Sequence, residues 1–206
     1  VPLSVDRAAL TITAANQTRA YNTANPALTW SPSGFVNGDT AAVLSGAPAL
    51  ATVASAASPV GAYPITVAAG TLAAANYSFG FVNGSLSVTA ASPQLSWAAP
   101  AAIEYGTALG AAELNATAAV PGAFVYTPAA GTVLPRGAHT LAVSFAPDDA
   151  VNWTGVTAEL RTIEVIDTIV PRVTDLTPAV GAVGVSREAV LVLTFSETMR
   201  VGTGAV

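Results

Sequence analysis

The sequence predicts an all-β protein made of tandem small modules, each a β-sandwich or a β-grasp-like fold with at most short helical turns. Three observations lead to this class. They are an internal repeat, runs in which apolar and polar side chains alternate, and turn residues between those runs. The 206 residues leave room for two units of fewer than 100 residues each.

The internal repeat rests on three short segments that return later in the chain in the same order. The pairs are Tyr21–Ala24 with Tyr105–Ala108, Pro59–Val67 with Pro135–Val143, and Asn76–Ser78 with Asn152–Thr154. The first pair is separated by 84 positions and the other two by 76, so the first unit has about eight more residues in its middle. We therefore predict two related units, residues 8–90 and residues 92–166.

Both units show the two-residue periodicity of strands. In residues 63–67 and again in residues 141–145, apolar side chains alternate with smaller or polar ones. Successive strand residues point to opposite faces, so one face of each strand is expected to cover a core.

Turn and capping residues separate the predicted strands. Asn37-Gly38 and Asn83-Gly84 suit the positive φ angles of tight hairpins. Asp39 is expected to cap a single helical turn through Thr40–Leu44, and Leu109–Asn115 is its expected counterpart in the second unit.

The two ends of the sequence are interpreted as parts of further modules. Residues 1–7 have the character of the end of a preceding repeat, with no signal peptide. Residues 167–206 begin with a linker and continue as a third module that is cut off, because about 40 residues cannot bury a full sandwich core.

Composition excludes two classes of function. Charged residues make up 9% of the chain, the net charge is −5, and the seven basic residues are scattered arginines rather than a cluster, which argues against nucleic-acid binding. Apolar residues reach 52%, and no charged side chain lies between Asp39 and Glu104. Prolines, glycines and asparagines interrupt this uncharged stretch repeatedly, so no membrane-spanning segment is predicted. The chain has no cysteine, which favours a bacterial exported protein or a cytosolic one.

Several motifs of the first unit match a known pattern. They are Leu10–Ala14, Ala24–Thr29, Gly34–Asp39 and Ala75–Tyr77. With these motifs, residues 8–90 resemble the MBG repeat of large bacterial adhesins. That family usually has Tyr-Gly where this chain has Tyr21-Asn22, and Asn tolerates positive φ, so the turn is expected to survive.

The other two parts of the chain have resemblances of their own. The cues are Tyr105–Thr107 and Tyr126–Thr132 in the second unit, and Phe195–Met199 after it. Residues 92–166 are similar to a related bacterial Ig-like surface repeat. Residues 167–206 are similar to the first half of a bacterial Ig-like domain of surface-layer and adhesin proteins.

The resemblances imply an architecture rather than a reaction. They imply a secreted or cell-surface bacterial protein in which these modules act as an adhesin stalk or spacer and take part in cell adhesion. The expected partners are neighbouring modules of the same chain and host or matrix glycans or proteins. The alternative is a carbohydrate- or glycan-binding accessory module of an adhesin or a secreted hydrolase.

No residue set in the sequence indicates an enzyme, so no catalytic, cofactor-binding or metal-binding residue is predicted. The single histidine, His139, aligns with Tyr63 on the core face of its strand, and neither cysteine nor a second histidine accompanies it. Asp148-Asp149 offers two or three oxygen ligands where calcium needs six to eight, so a solvated turn is favoured there. A calcium site at the linker, with Asp167 and Asp175, is the other reading.

The repeat also sorts the tryptophans. Trp97 and Trp153 align near apolar residues of the first unit, so core or hydrophobic-corner roles are favoured. Trp30 has no aromatic counterpart, which leaves it as the one candidate for contact with a ligand. Asn76 and Asn152 precede an aromatic residue in both units, which predicts a turn hydrogen bond at this position.

Overall fold

The structure is a computed structural model that describes residues 6–196. The predictions for residues 1–5 and for Glu197-Thr198-Met199 lie outside the described residues. This part of the chain is built from strands, which confirms the all-β prediction. In chain order the strands are β1 (Ala8–Ala14), β2 (Gln17–Ala20), β3 (Trp30–Ser33), β4 (Ala49–Thr52), β5 (Gly61–Ala68), β6 (Tyr77–Val82), β7 (Gly84–Thr89), β8 (Leu95–Ser96), β9 (Ile103–Glu104), β10 (Thr117–Ala118), β11 (Gly122–Thr127), β12 (Gly137–Pro147), β13 (Val156–Ile166), β14 (Val173–Thr177) and β15 (Val192–Phe195).

Strands β1–β7 form two sheets, and together they are named module 1. One sheet has the order β3-β1-β6 and the other has the order β2-β7-β5-β4. The first two strands, β1 and β2, lie in different sheets, and so do the last two strands, β6 and β7. In both sheets the early strand runs parallel to the late one. Of the two predicted alternatives, module 1 adopts the sandwich.

Strands β8–β13 form a second unit, named module 2, with a related topology. Its larger sheet has the order β9-β13-β12-β11, which corresponds strand for strand to β2-β7-β5-β4. The short pair β8 and β10 corresponds to β1 and β3. The repeat seen in the sequence is therefore also a repeat of strand order.

Each module has a hydrophobic core of its own. The buried cluster of module 1 consists of Leu10, Ile12, Ala14, Ala54, Ile65, Val67, Leu72, Tyr77 and Leu86. The buried cluster of module 2 consists of Trp97, Ile103, Leu109, Ala116, Leu134, Leu141, Val143, Ile163 and Val165. The alternating residues 63–67 and 141–145 supply the core from one face of β5 and β12, as their periodicity predicted.

The strands β14 and β15 pair as an antiparallel hairpin after module 2. Its large apolar side chains are exposed, up to 90% at Val180 and 95% at Val183. The turn after β14 repeats one of module 2, because Gly181 (φ 81°) follows Thr177-Pro178 as Gly131 (φ 85°) follows Thr127-Pro128. This second repeat of Thr-Pro-Ala-x-Gly was not recognised in the sequence.

Asn and Gly residues fix some of the predicted turns. Asn22 takes the place of Gly106 with φ 57° against 91°, so the Tyr-Asn turn survives as predicted. Asn37 and Gly38 both have positive φ, 55° and 82°, and form a tight turn closed by the Asp39 amide on the Val36 carbonyl at 3.0 Å. The predicted hairpin is absent there, because β3 pairs with β1 and the next strand, β4, lies in the other sheet.

The hairpin predicted at Asn83-Gly84 is wrong. These residues join β6 in one sheet to β7 in the other, so the chain crosses the sandwich instead of turning back. Asn83 Oδ1 accepts a hydrogen bond from the Val67 amide at 3.1 Å. Gly84 passes so close to β1 that a Cβ atom would lie 2.6 Å from the Ala14 carbonyl oxygen, which explains the glycine without a hairpin.

The predicted helical turns are shorter than expected. A 3-10 turn spans Ala41–Val43, and its cap is Thr40, whose hydroxyl accepts a hydrogen bond from the Ala42 amide at 3.4 Å. Asp39 is not the cap, because its carboxylate accepts a hydrogen bond from the Tyr77 hydroxyl at 2.8 Å. Residues 109–115 form an isolated turn instead of a helix, closed by the Leu114 amide on the Gly110 carbonyl at 2.9 Å.

The buried Arg19 anchors the loop that leads to Pro59. Its side chain is 7% exposed and donates to the Ser55 and Ala56 carbonyls and to Asn25 Oδ1, the last at 2.8 Å. At the equivalent position of β9, module 2 has Ile103. The guanidinium therefore belongs to the longer middle of module 1.

Replacing Arg19 with methionine is expected to lower the free energy of unfolding of module 1 by about 2–3 kcal/mol. The methionine keeps apolar bulk but leaves the Ser55 and Ala56 carbonyl oxygens and Asn25 Oδ1 without their donor. Urea unfolding followed by circular dichroism measures the effect. The matched control is Arg187→Met at an exposed position, and equal stability of the two variants would contradict the anchoring role.

Candidate functional site

The two modules meet at a short, hydrogen-bonded linker. Module 1 ends at Thr89 and module 2 begins at Leu95. Between them, Ala91 donates from its amide to the Asn152 carbonyl at 2.9 Å and accepts from the Thr154 amide at 2.8 Å. These bonds form an isolated parallel bridge between Ala91 and Trp153. The linker is thus held against residues 148–154, the loop between β12 and β13, which is named the docking loop.

Asn152 of the docking loop binds module 1 directly. Its Oδ1 accepts a hydrogen bond from the Val60 amide at 2.8 Å, and its Nδ2 donates to Asp149 Oδ2 at 2.7 Å. A carboxylate only accepts and a backbone amide only donates, so the two partners fix the orientation of the side-chain amide. Asp149 also accepts from the Asn152 amide at 3.1 Å. Asp149 therefore positions Asn152, and Asn152 positions Val60.

An aromatic pair completes the contact. The rings of Tyr21 in module 1 and Trp153 in module 2 pack edge to face, with centroids 5.5 Å apart and planes at 89°. This geometry brings the positive edge of one ring to the negative face of the other. We name the surface formed by Tyr21 and Val60 the exit face of module 1, because the chain leaves the module beside it.

The fold brings the exit face and the docking loop together. The parallel pairing of β2 with β7 ends with the Tyr21 amide donating to the Thr89 carbonyl at 2.8 Å, so the Tyr21 turn lies where the chain leaves module 1. Arg19 holds the loop before Pro59 against the same end of the sheet. The docking loop lies where the chain enters module 2, because Ala91 pairs with it.

Module 2 has an exit face at the equivalent positions, and this face includes a charged side chain. Tyr105 corresponds to Tyr21, and Arg136 corresponds to Val60. The Arg136 guanidinium lies 5.2 Å from the centre of the Tyr105 ring and pairs with Asp167 in the following linker. The Glu104 carboxylate accepts from the amide and the hydroxyl of Thr168, the former at 3.1 Å.

Hydrogen bonds lower the pKa of a carboxyl group at each junction. The side-chain and backbone N–H groups of Asn152 lower the pKa of Asp149 below its ordinary 3.8. The hydroxyl and amide of Thr168 lower the pKa of Glu104 below its ordinary 4.5. Both carboxylates are thus stabilised in the charged form by the contacts that hold the linkers.

The predicted ligand candidate, Trp30, lies at the start of β3 in module 1. Its side chain is partly buried and packs against the core cluster of the module. The core cluster that Trp30 contacts does not include the junction residues Tyr21, Val60 and Trp153. Nothing tests its proposed contact with a ligand, which stays a prediction.

The other aromatic predictions divide. Trp97 is 4% exposed and belongs to the core of module 2, as expected, with its Nε1 donating to the Glu113 carbonyl at 2.9 Å. Trp153 is half-buried and lies outside both core clusters, so of the two expected roles, core or hydrophobic corner, the core role does not apply to it. Its ring is used at the junction instead.

The structure gives His139 a structural role that the repeat duplicates. Its Nε2 lies 2.7 Å from the Pro135 carbonyl, and the hydroxyl of its counterpart Tyr63 donates to the Pro59 carbonyl at 2.9 Å. Since a carbonyl only accepts, Nε2 carries the proton in this contact. The pair of side chains closes the same turn in the two modules.

The predicted acidic positions make local contacts. Asp149 binds Asn152, Asp167 binds Arg136, and Asp175 accepts from the Leu176 amide at 2.9 Å. Within residues 6–196, the structure contains no group of three or more His, Cys, Asp or Glu side chains arranged to hold a metal ion.

Sequence reasoning found only part of this site. The recurrence of Asn76 and Asn152 predicted a turn hydrogen bond at both positions, and Asn152 makes one to Asp149. The exposed Asn76 side chain makes none to a described residue, so the prediction is wrong for Asn76. The contacts of Tyr21, Val60 and Trp153 across the junction were missed. The signal available was the repeat itself, because all three residues belong to the segments that recur.

Comparison with known families identifies the first module. Residues 10–87 match the family model of the MBG domain (YGX type). The match covers module 1, confirms the resemblance predicted for residues 8–90, and includes Tyr21 and Val60 of the exit face. The MBG domain is a repeat domain of bacterial surface proteins. Among curated proteins no match to the chain is found. Across the described residues, no helix has the length and apolar character needed to span a membrane.

Replacing Asn152 with alanine is expected to loosen the junction without unfolding either module. The Val60 amide loses its acceptor, so its hydrogen exchange should accelerate about fivefold, in line with about 1 kcal/mol for one such bond. Exchange followed by NMR measures this rate. Asn115→Ala is the control, because Asn115 bonds only within its own turn. An unchanged Val60 rate in Asn152→Ala would contradict the assignment.

Acid is expected to weaken the same junction. The pKa of Asp149 is lowered in the folded chain, so its stabilisation is complete above its ordinary value of 3.8 and is lost as the pH falls through the lowered value. The Trp153 indole N–H resonance, followed by NMR from about pH 6 to about pH 2, should shift in a step within that acidic range. The Asp149→Asn variant should lack the step, and a step of the same size in that variant would contradict the prediction.

Proposed function

We propose that this chain is a non-enzymatic part of the extracellular repeat region of a large bacterial surface or secreted protein. In this proposal the modules form a stalk that holds a binding region away from the cell and takes part in adhesion. The single observation that carries the proposal is the direct junction between module 1 and module 2, at which both the linker and the modules themselves are bonded.

A stalk needs units that stay folded when they are linked in series. Each module has a separate buried cluster, so neither depends on the other for its core. A linker of five residues between Thr89 and Leu95 gives little slack, and Ala91 within it is 9% exposed and bonded on both sides. These features suit a stiff connection better than a flexible one.

The surface chemistry supports a passive role. The chain has 9% charged residues and a net charge of −5, and the strands of the two modules are paired with neighbours in their sheets. The match of module 1 to the MBG domain supports a place among bacterial surface repeats. The adhesive part of the proposal requires a surface that contacts host or matrix molecules.

Stiffness of the junction can be measured because the chain has no cysteine, so two introduced thiols are labelled selectively. Spin labels at Val43→Cys in module 1 and Val133→Cys in module 2 use exposed positions, 40% and 52% accessible. Pulsed electron resonance should give one narrow distance distribution. It should broaden in Asn152→Ala and stay narrow in Asn115→Ala. A broad distribution in the otherwise unchanged chain would contradict a stiff stalk.

Location and ligand binding are separate tests of the same proposal. Antibodies against the chain should label intact cells of the source bacterium, or the protein should appear in the medium. On a broad glycan array the isolated chain should show no binding. Micromolar binding abolished by Trp30→Ala would favour the glycan-binding alternative over the spacer.

A further inference from the structure

The end of module 1 at which β1 begins repeats the backbone geometry of the docking loop in module 2. The Ala8 amide donates to the Asn76 carbonyl at 3.0 Å, just as the Ala91 amide donates to the Asn152 carbonyl at 2.9 Å. Ala8 pairs in parallel with Tyr77, as Ala91 does with Trp153. Asn76 thus occupies in module 1 the position that Asn152 occupies at the observed junction.

The side chains at the two positions differ in what they contact. Asn152 Oδ1 accepts the Val60 amide of the module before it. The Asn76 side chain is exposed and makes no hydrogen bond to any described residue. The Asn76 amide is therefore accessible to a neighbouring group.

A polar cavity lies beside this open amide. Its volume is about 460 Å³, and Asp6, Ala8, Val36, Asp39 and Asn76 are among the residues that line it. Asp39 accepts from the Tyr77 hydroxyl at 2.8 Å rather than from Asn76, and Tyr77 is 2% exposed within the core of module 1. The end of module 1 therefore shares the backbone geometry and the asparagine of the docking loop, with a carboxylate nearby.

We propose that the end of module 1 formed by Asn76, Asp39 and the adjoining cavity is a docking surface for a module of the same fold placed directly upstream. The exit face of that module would occupy it. The Asn76 amide oxygen accepts a hydrogen bond from the backbone N–H of the upstream residue that corresponds to Val60. The upstream aromatic residue that corresponds to Tyr21 packs over the cavity. This inference rests on the proposed stalk function and extends it to a rule for stacking.

Both exit faces of this chain carry groups that contact the segment following them. In module 1 the exit face presents the Val60 amide and the Tyr21 ring, and both are used. In module 2 the corresponding Arg136 and Tyr105 contact the next linker.

The experiment replaces residues 1–7 of the chain with a second copy of residues 6–90, so that Ala90 of the copy is joined to Ala8 and Thr89-Ala90 of the copy stand in place of Asp6-Arg7. This joint reproduces the natural Ala90-Ala91 step. Thiols for spin labels are placed at position 43 of the copy and at position 133 of module 2. Urea unfolding is measured in parallel to show that the added copy is folded. The amide exchange of Val60 in the copy is followed by NMR.

If the modules dock, the distance between the two spin labels should have a narrow distribution. Hydrogen exchange of the Val60 amide in the copy should be about fivefold slower than in the same chain with Asn76→Ala in module 1. Asn115→Ala should leave both readouts unchanged. A folded copy with a broad distribution that Asn76→Ala does not alter would overturn the docking surface. If the native pair at positions 43 and 133 stays narrow in that case, the stalk function stands, and if it is also broad, both proposals fail.

Discussion

The parallel pairing of early and late strands is the constraint on which the junctions depend. β1 runs beside β6 and β2 runs beside β7, so the chain enters module 1 where β6 begins and leaves it where β2 ends. β9 and β13 repeat the second pairing in module 2. Because parallel neighbours share one direction, the Asn-aromatic segment is fixed at the entering end and the Tyr turn at the leaving end. Tandem linkage then brings a leaving end against an entering end with only a short connector.

The longer middle of module 1 has a structural consequence at its leaving end. The additional residues lie between the Tyr21 turn and Pro59, where the backbone carbonyls of residues 54–56 need donors. Arg19 and Asn25 supply them, since Asn25 Nδ2 donates to the Ala54 carbonyl at 2.6 Å. Module 2 has Ile103 in place of Arg19 and a shorter loop. One buried guanidinium thus allows the insertion while keeping Val60 in the position that the repeat assigns to it.

The sequence predicted the features that depend on local pattern and missed those that depend on which sheet a strand joins. Periodicity in residues 63–67 located a core face, and Asn22 was correctly expected to replace Gly106 in its turn. Asn83-Gly84 has the local signature of a hairpin, but the choice between turning back and crossing the sandwich is made by long-range pairing. Trp153 was expected in a core or a hydrophobic corner because it aligns with Tyr77. Its contact with Tyr21 arises only once two modules are joined, so no pattern within one module indicates it.

The chemistry of the first junction fits the low charge of the chain. Its direct bond between modules joins a neutral amide to a backbone N–H, and its second contact is a ring pair, so neither depends on net charge across the interface. The carboxylate of Asp149 acts one step back, where it orients Asn152 within module 2. The second junction uses Arg136, whose side chain is 56% exposed, against Asp167, and such an exposed pair weakens as salt screens it. At the first junction the neutral Asn152 amide makes the contact between modules, and the charged Asp149 only orients it within module 2. Salt therefore weakens this junction less than it would weaken an ion pair in the same place.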